Sequence, residues 1–314
     1  MRRLVLLALG LLGLTPAQSV PALPVPPLRA VGSVPPWVPD LPFRALAPAD
    51  SFHELYAGRA DLVLGSLPPP APPAGLRPAL NVPVGVYAVA VAYRLPGVQL
   101  HLDVPTLCRL LAGQLPTWDH PALAQLNPGV QLPALPVLVS ARVARNGVSY
   151  AVASACVAAR IWPYAQLKSN WSSGAAFTRA ALGAQRTDLN IPGSVAVFTL
   201  HDVPPGAQVA LLRAVGGQDL PPRSVLGLSG PPPTSPAQVL PLPDVPGSYP
   251  LRGLVWASVM REQRYRSRTL AQAQALRALL DRLRGTDGPS VAGLPPALWT
   301  RVPLQYGGEP LPPP

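Results

Sequence analysis

A short polar loop in the middle of the chain carries residue types that bind small anions. The apolar run 135–139 predicts a strand and residues 148–160 predict a helix, with Arg142 and Gly147 between them. N–H groups at a helix start have no intrahelical acceptor and lie at the positive end of the helix dipole. An arginine adds a charge-assisted fork for an oxyanion. The loop could therefore cradle an anion, although such a loop also occurs as a plain connection.

The surrounding pattern predicts an α/β chain that positions this loop. Residues 82–93 are a long run rich in Val, Ala and Tyr, the composition of a buried strand, and residues 251–259 are another. Residues 51–59 indicate a short helix and residues 61–64 a strand after it. The stretch 269–284 predicts an amphipathic helix that ends at Gly285, with arginines toward solvent and one apolar face formed by Leu276, Leu279, Leu280 and Leu283.

The N-terminus has the three parts of a secretory signal peptide. Arg2 and Arg3 precede an apolar stretch, 4–14, and small residues lead to a predicted cleavage near Ala17. The apolar stretch is too short to span a membrane, and no later stretch is long enough. The sequence therefore predicts a signal peptide at 1–17, a Pro-rich leader at 18–28, and a periplasmic or secreted mature chain without a membrane span.

Charge and missing motifs exclude several classes of function. The net charge is +11, and removing Arg2 and Arg3 leaves +9. The arginines are scattered with few aromatics among them, which argues against a nucleic-acid partner and favours solvated surface with a general attraction for anions. The four histidines show no metal spacing, and there is no nucleophile elbow, phosphate-binding loop or dinucleotide fingerprint. We therefore expect no catalysis, no metal and no cofactor.

Several segments together resemble the phosphate-binding protein of phosphate ABC transporters. They are Trp118-Asp-His-Pro-Ala-Leu with Leu126-Asn-Pro-Gly129, the strand and Arg142 loop, Ile191-Pro-Gly-Ser-Val-Ala-Val197, and Tyr249-Pro-Leu-Arg-Gly-Leu-Val-Trp256. They cover nearly the whole mature chain in the family's order. The chain is thus identified as a divergent member of that family.

The resemblance implies a periplasmic-binding-protein-like fold of type II. Each of two lobes would hold a central mixed sheet flanked by helices, with the ligand in the cleft between them. Lobe one would comprise 27–90 plus 248–314, and lobe two 91–247. The histidine of the Trp-Asp-His-Pro segment, His120, would cap a helix or bond locally. Cys108 and Cys156 replace apolar family residues in helix-like segments, so buried free thiols are favoured slightly over a disulfide.

The resemblance implies phosphate binding by four segments, and the first three align here with changes. Ser33 keeps the first hydroxyl and Val34 replaces a phenylalanine. Pro48 falls on the second hydroxyl position, where Asp50 and Ser51 read instead as helix caps. Ser66 replaces the aspartate that accepts the proton of hydrogen phosphate. Without that carboxylate, the element that rejects fully ionised sulfate is gone.

The fourth segment is the loop described first. Arg142 matches the family's phosphate arginine and Gly147 the glycine at the helix start. Asn146 replaces a serine, Ser149 keeps a hydroxyl, and Ala144 replaces the aspartate that holds the arginine.

The sequence thus predicts an extracytoplasmic solute-binding protein of phosphate-type transport. Its partners would be inorganic phosphate or a similar oxyanion and an ABC permease. The alternative is a divergent paralogue that keeps the fold but senses or binds another ligand or a protein partner in the envelope.

Overall fold

The computed structural model describes residues 27–168, 170, 177–180, 182–222, 247–294, 296, 299 and 301–312. The predicted signal peptide and nearly all of the leader lie outside the described residues. Within them the helices are α1 (Pro48–Tyr56), α2 (Val104–Leu111), α3 (Pro121–Leu126), α4 (Gly147–Ala158), α5 (Leu182–Asp188) and α6 (Leu270–Gly285). The strands are β1 (Ala30–Gly32), β2 (Phe43–Ala45), β3 (Leu62–Gly65), β4 (Leu80–Tyr93), β5 (His101–Leu102), β6 (Leu138–Arg142), β7 (Phe177–Ala180), β8 (Ser194–Thr199), β9 (Gln208–Val209), β10 (Leu211–Arg213), β11 (Asp219–Leu220), β12 (Arg252–Val259), β13 (Gln305–Tyr306) and β14 (Glu309–Pro310).

Nine of these strands form one mixed sheet. Its order is β2-β1-β3-β12-β4-β8-β6-β7, and β9 adds to β4 beside this path. Strands β2, β1 and β3 run parallel, as do β7, β6 and β8, while β12 is antiparallel to both β3 and β4 and β8 is antiparallel to β4. With the six helices around it, this sheet confirms the predicted α/β class.

The long strand β4 belongs to both halves of the sheet. Its residues from Leu80 to Ala88 pair with β12, and those from Val89 to Tyr93 pair with β8. From Val82 onward every residue of the strand is buried, which is why the sequence reads as an unbroken apolar run. The division into lobes at 90/91 and 247/248 remains a prediction.

The C-terminal helix α6 packs as its spacing predicts, with one exception. Leu276, Leu279, Leu280 and Leu283 are all buried. Thr269 and Gln272 cap the helix reciprocally, so it begins where predicted. The expectation that its arginines face solvent is wrong for Arg284, which is buried. Its Nε donates to Pro83 O over 3.3 Å and its guanidinium lies over the Trp299 ring, so the apolar stem and the charge both find partners in the protein.

The two cysteines form a disulfide, which corrects the preference for free thiols. Cys108 lies on α2 and Cys156 on α4, and both side chains are fully buried. The two helices pack together with the Cα atoms 5.4 Å apart, within the range that a disulfide bridges. Each cysteine does occupy an apolar position, but the two positions face one another, and that relation is not visible from either position alone.

The segments that carry the family resemblance act as scaffold. The Trp118 indole N–H donates to Gly193 O over 2.9 Å, which joins two of the matching segments. Gly193 has φ +86° and an added Cβ would lie 2.5 Å from Pro136 O, so only glycine fits there. The buried Asn127 side chain accepts from His101 N and donates to His101 O and Leu123 O. His120 caps α3 by accepting from Ala122 N over 3.2 Å, as expected.

Candidate anion-binding site

Arg142 is the last residue of β6, at the carboxyl end of a strand flanked by two parallel strands. Its Nε is buried and has no hydrogen-bond partner. Burial lowers the pKa of this guanidinium, while the negative charge of Asp202 raises it and the positive charge of Arg186 lowers it again. A cation that has lost water without gaining a full set of acceptors is stabilised by an anion placed against it.

Helix α4 begins directly after this loop with a side-chain cap. The Asn146 side chain accepts from Ser149 N over 2.9 Å, and its amide donates to Ala144 O and Ser149 Oγ over 2.9 Å each. The N–H of Ser149 is thus already used. The N–H groups of Gly147 and Val148, the first two of the helix, are left without an intrahelical acceptor and lie at the positive end of its dipole.

Ser66 lies against the start of α4, although 81 positions separate it from Gly147 in the sequence. A Cβ added to Gly147 would lie 1.8 Å from Ser66 Oγ and 2.9 Å from the Tyr87 hydroxyl oxygen. Only glycine therefore fits at this helix start. Ser66 and Gly147, two of the predicted site residues, thus lie against one another.

Tyr87 is a member of this cluster that the sequence did not single out. Burial raises the pKa of its phenol, and a hydrogen bond with the Ser66 hydroxyl lowers it, with burial the larger effect. The phenol stays neutral and can donate. Gly253 makes room for the ring, since a Cβ there would lie 2.3 Å from Tyr87 Cζ. The available signal was a phenol hydroxyl in the middle of the apolar run of β4, which also ends in Tyr93.

The Ser33 and Val34 segment follows β1, and its N–H groups are engaged by the protein itself. Ser33 N donates to Leu64 O over 3.0 Å, and Val34 N lies 3.3 Å from the same oxygen. Gly32 has φ +147°, and a Cβ there would lie 1.9 Å from that carbonyl, so the close approach needs glycine. The Ser33 side chain is exposed. Its hydroxyl remains available, while its backbone N–H does not.

Helix α1 begins at Pro48, with Ala47 as a cap position that has no side-chain hydrogen bond. The expectation that Asp50 and Ser51 cap this helix is wrong. Proline is favoured at the first helical position, so the helix starts earlier than predicted and both residues fall inside it. Asp50 is exposed in the first turn, and Ser51 Oγ donates back to Ala47 O over 2.9 Å.

Asp202 and Arg186 form a second feature that the sequence did not indicate. Arg186 Nη2 lies 2.9 Å from Asp202 Oδ1, and the charges of both residues influence the pKa of Arg142. Asp202 thus supplies negative potential near Arg142.

The structure brings the predicted residues together in part. Arg142, Asn146, Gly147 and Ser149 share one loop and helix start, and Ser66, the residue after β3, joins them. Ser33 and Val34 lie beside Leu64, two residues before Ser66. The donors at Gly147 are neutral and the nearby charge is a cation, so the arrangement suits an oxyanion without requiring a proton from it. No group of three potential metal-binding side chains occurs within the described ranges.

The fold and this loop define a class of protein. It is an α/β protein in which one strand belongs to both halves of the sheet, and beside that strand a helix begins with two N–H groups that have no intrahelical acceptor. Comparison with solved structures agrees. A high-affinity periplasmic phosphate-binding protein (PfluDING) bound with phosphate has a TM-score of 0.62 at 13% identity, covering 87% of this chain and 91% of that one. A phosphate-binding protein from Stenotrophomonas maltophilia has a TM-score of 0.56 at 15% identity, covering 83% and 84%. The periplasmic-binding-protein-like fold is therefore confirmed.

Curated relatives point the same way over a short stretch. The phosphate-binding protein PstS 3 of Mycobacterium leprae is 38% identical over 72 residues, which is 23% of this chain and 20% of that protein. PstS 2 of Mycobacterium tuberculosis is 34% identical over 73 residues, with the same coverage of 23% and 20%. The chain thus matches about a fifth of the length of these relatives. No protein-family model matches the chain.

These findings confirm the resemblance to phosphate-binding proteins that the sequence predicts. In addition, none of the helices in the described part of the chain has the length and apolar character needed to cross a membrane.

Proposed function

We propose that this chain is an extracytoplasmic solute-binding protein of phosphate-type ABC transport, which binds an oxyanion, inorganic phosphate above all, between two lobes. The observation that carries the proposal is the meeting of Ser66 with Gly147 at the start of α4. Two segments far apart in the sequence converge there, as the ligand segments of the relatives' family are expected to do. The names of the structural and curated relatives support the same ligand.

The proposed site offers three kinds of donor to the anion. They are the Arg142 guanidinium, whose Nε has no partner, the N–H groups of Gly147 and Val148, and one hydroxyl of the bonded pair Ser66 and Tyr87, since their mutual hydrogen bond uses the other proton. Ser33 could add a hydroxyl. Asn146 and Ser149 act mainly by holding the helix start in place, since each satisfies the other. None of these groups needs a proton from the ligand.

The transport role rests on the predicted signal peptide and on the relatives. A periplasmic or secreted location would place the chain where a solute is captured before import. An ABC permease would then be its partner. Neither catalysis nor a cofactor is part of this proposal.

A second candidate is a divergent paralogue that keeps the fold and binds another ligand or a protein partner. One observation favours it. The N–H groups of Ser33 and Val34 are directed to Leu64 O, and Pro48 occupies a position where the family has a hydroxyl. The β1 and α1 segments therefore offer fewer donors than the family pattern would.

Calorimetric titration with phosphate and with sulfate tests the first candidate. The protein is freed of bound anion by unfolding and refolding, and the Arg142→Ala variant is measured beside it. Arg109→Ala is the matched control, because Arg109 is an exposed arginine on α2. We expect micromolar or tighter phosphate binding in the native protein and in Arg109→Ala. Arg142→Ala should weaken it at least about tenfold, since a hydrogen bond to a charged group contributes ~1.5–3 kcal/mol.

Equal affinity for phosphate and sulfate would fit Ser66, because a carboxylate that repels sulfate is missing. Absence of heat with either anion in a folded protein would refute the phosphate-receptor proposal and leave the second candidate.

A further inference from the structure

A cavity of about 400 Å³ opens at the connection between β12 and α6. Its lining residues are far from Gly147 in the sequence, and an inference about it does not depend on the proposed function. Its lining residues are consecutive but for one: Arg264, Tyr265, Arg266, Ser267, Arg268, Thr269, Leu270 and Tyr306. None of them is an Asp or Glu, so the wall is cationic and rich in hydroxyl groups.

The charges at this cavity are unequal in number. Arg264 and Arg266 are exposed. Arg268 is 7% exposed and ion-paired with Asp61, a carboxylate that also lies 3.5 Å from the Arg29 Nε. Glu262, which precedes this stretch, is occupied by three backbone N–H groups, those of Arg264, Gly307 and Gly308. Together with Arg29, these arginines number four. The carboxylates number two, Asp61 and Glu262, and both already have partners.

Arg268 supplies a buried donor at this cavity. Its Nη1 bonds Asp61 and the Tyr265 hydroxyl, and its Nη2 donates to Gln272 O over 3.3 Å. Its Nε is buried and has no hydrogen-bond partner. A buried N–H without an acceptor costs free energy, so this guanidinium, which lines the cavity, remains short of one acceptor.

The start of α6 adds backbone donors. Thr269 Oγ1 accepts from Gln272 N over 3.2 Å, so the third N–H of the helix is used. The N–H groups of Leu270 and Ala271, the first two of this 16-residue helix, have no intrahelical acceptor and sit at its positive end. The exposed Arg264 and Arg266 line the same cavity as this helix start.

The loop is held in one shape before any ligand arrives. The Tyr306 hydroxyl donates to Arg268 O over 3.0 Å. The Arg266 stem lies over Gly58, where a Cβ would come within 2.7 Å of Arg266 Cδ. A preformed site costs less ordering on binding than a loose one.

We propose that this cavity is a second anion site that takes a phosphomonoester, with the phosphate at the α6 start and between Arg264 and Arg266. The volume lies in the range of pockets that hold organic ligands and exceeds what a bare phosphate needs. Tyr265, Tyr306 and Leu270 give the organic part an apolar wall. Because the second ionisation of a phosphomonoester has a pKa near 6, binding strengthens as pH rises through about 6.

The test uses the full chain carrying Arg142→Ala, which weakens the proposed Gly147 site. Glycerol 3-phosphate is titrated calorimetrically, with glycerol as the uncharged control. We expect binding that Arg264→Ala with Arg266→Ala weakens at least about tenfold, that Arg264→Lys with Arg266→Lys partly keeps, and that Arg109→Ala leaves unchanged. Affinity should be higher at pH 7.5 than at pH 5.5. A second arm measures binding to vesicles with phosphatidic acid against vesicles of phosphatidylcholine alone.

The two arms separate the sources of the phosphomonoester. Binding of the soluble ester that depends on Arg264 and Arg266 supports a free solute, and binding only to phosphatidic acid with the same dependence supports a lipid headgroup. No binding in either arm, or binding that the double alanine variant leaves intact, overturns the proposal. Because the test reads the dependence on Arg264 and Arg266, the result does not depend on whether the Gly147 site binds phosphate.

Discussion

Two helix starts that the family resemblance assigns to one ligand have become different structures here. At α4 an asparagine caps the helix, an arginine with a buried free Nε precedes it, and Ser66 and Tyr87 touch its first residue. At α1 the cap position is Ala47, the next residue is Pro48, and an exposed Asp50 sits in the first turn. The carboxylate at α1 already complements the helix dipole, whereas the α4 start has no anion of its own. The comparison favours the α4 start as the place where we propose that the anion binds.

A disulfide joins α4 to α2, and removing that bond should have the largest effect on stability. Replacing both Cys108 and Cys156 by alanine removes a link between residues 48 apart in sequence, which corresponds to about 4 kcal/mol of loop-closure entropy in the unfolded chain. Urea unfolding measures the change. Reduction of the native protein should give a similar loss. A change below about 1 kcal/mol would show that packing alone holds α4 in place.

Gly147→Ala should show more clearly than any other single change which of the two helix starts binds phosphate. The new Cβ overlaps Ser66 Oγ, so the contact between β3 and α4 must open, at a cost of ~1–3 kcal/mol and with loss of phosphate binding. Gly183→Ala on α5 is the control, because a Cβ there meets nothing within 4 Å. Ser66→Gly in the same chain should restore part of the stability. Unchanged phosphate affinity in Gly147→Ala would argue that the ligand binds elsewhere.

Ser66→Asp tests whether a carboxylate at the α4 start makes the site select phosphate over sulfate. A carboxylate against the helix start repels fully ionised sulfate but can accept a proton from hydrogen phosphate. We expect the native protein to bind both anions with similar affinity and the variant to prefer phosphate by at least about tenfold. Competition titrations measure the ratio, with Ser66→Asn as the uncharged control. An unchanged ratio would place Ser66 outside the ligand's reach.

Ala47→Ser should have the smallest effect, and on stability alone. A serine at the cap position of α1 gains a side-chain hydrogen bond that alanine lacks, for about 1 kcal/mol in urea unfolding. Since we place the anion at α4, the affinity for phosphate should not change. A change in phosphate affinity beyond about threefold, in a variant as stable as the native protein, would show that the α1 start takes part in the anion site.

The sequence predicted the elements better than the contacts between them. The apolar runs that became β4 and β12, and the spacing of the leucines of α6, depend only on local periodicity and burial, so they could be read directly. The pairing of Cys108 with Cys156 depends on how α2 packs on α4, and the burial of Arg284 depends on Trp299 and Pro83. These relations are long-range and leave no local signal.

The candidate site shows the same division. Arg142 and Gly147 could be named because they share one loop with a recognisable order of strand, loop and helix. Tyr87 was missed because a tyrosine in a buried strand fits the core pattern equally well, and its contact with Ser66 arises only when β3, β4 and α4 meet. The start of α1 was misplaced because Asp50 and Ser51 are good capping residues, while the proline two residues earlier decided where the helix begins.

The most direct measurement is a phosphate titration followed by amide NMR on the isotope-labelled, anion-free protein. We predict that the N–H signals of Gly147 and Val148 shift with one saturable curve, while those of Ala49 and Asp50 at the start of α1 stay in place. Shifts at Ala49 and Asp50 without shifts at Gly147, or no saturable shift at either helix start, would contradict the assignment of the anion site to α4.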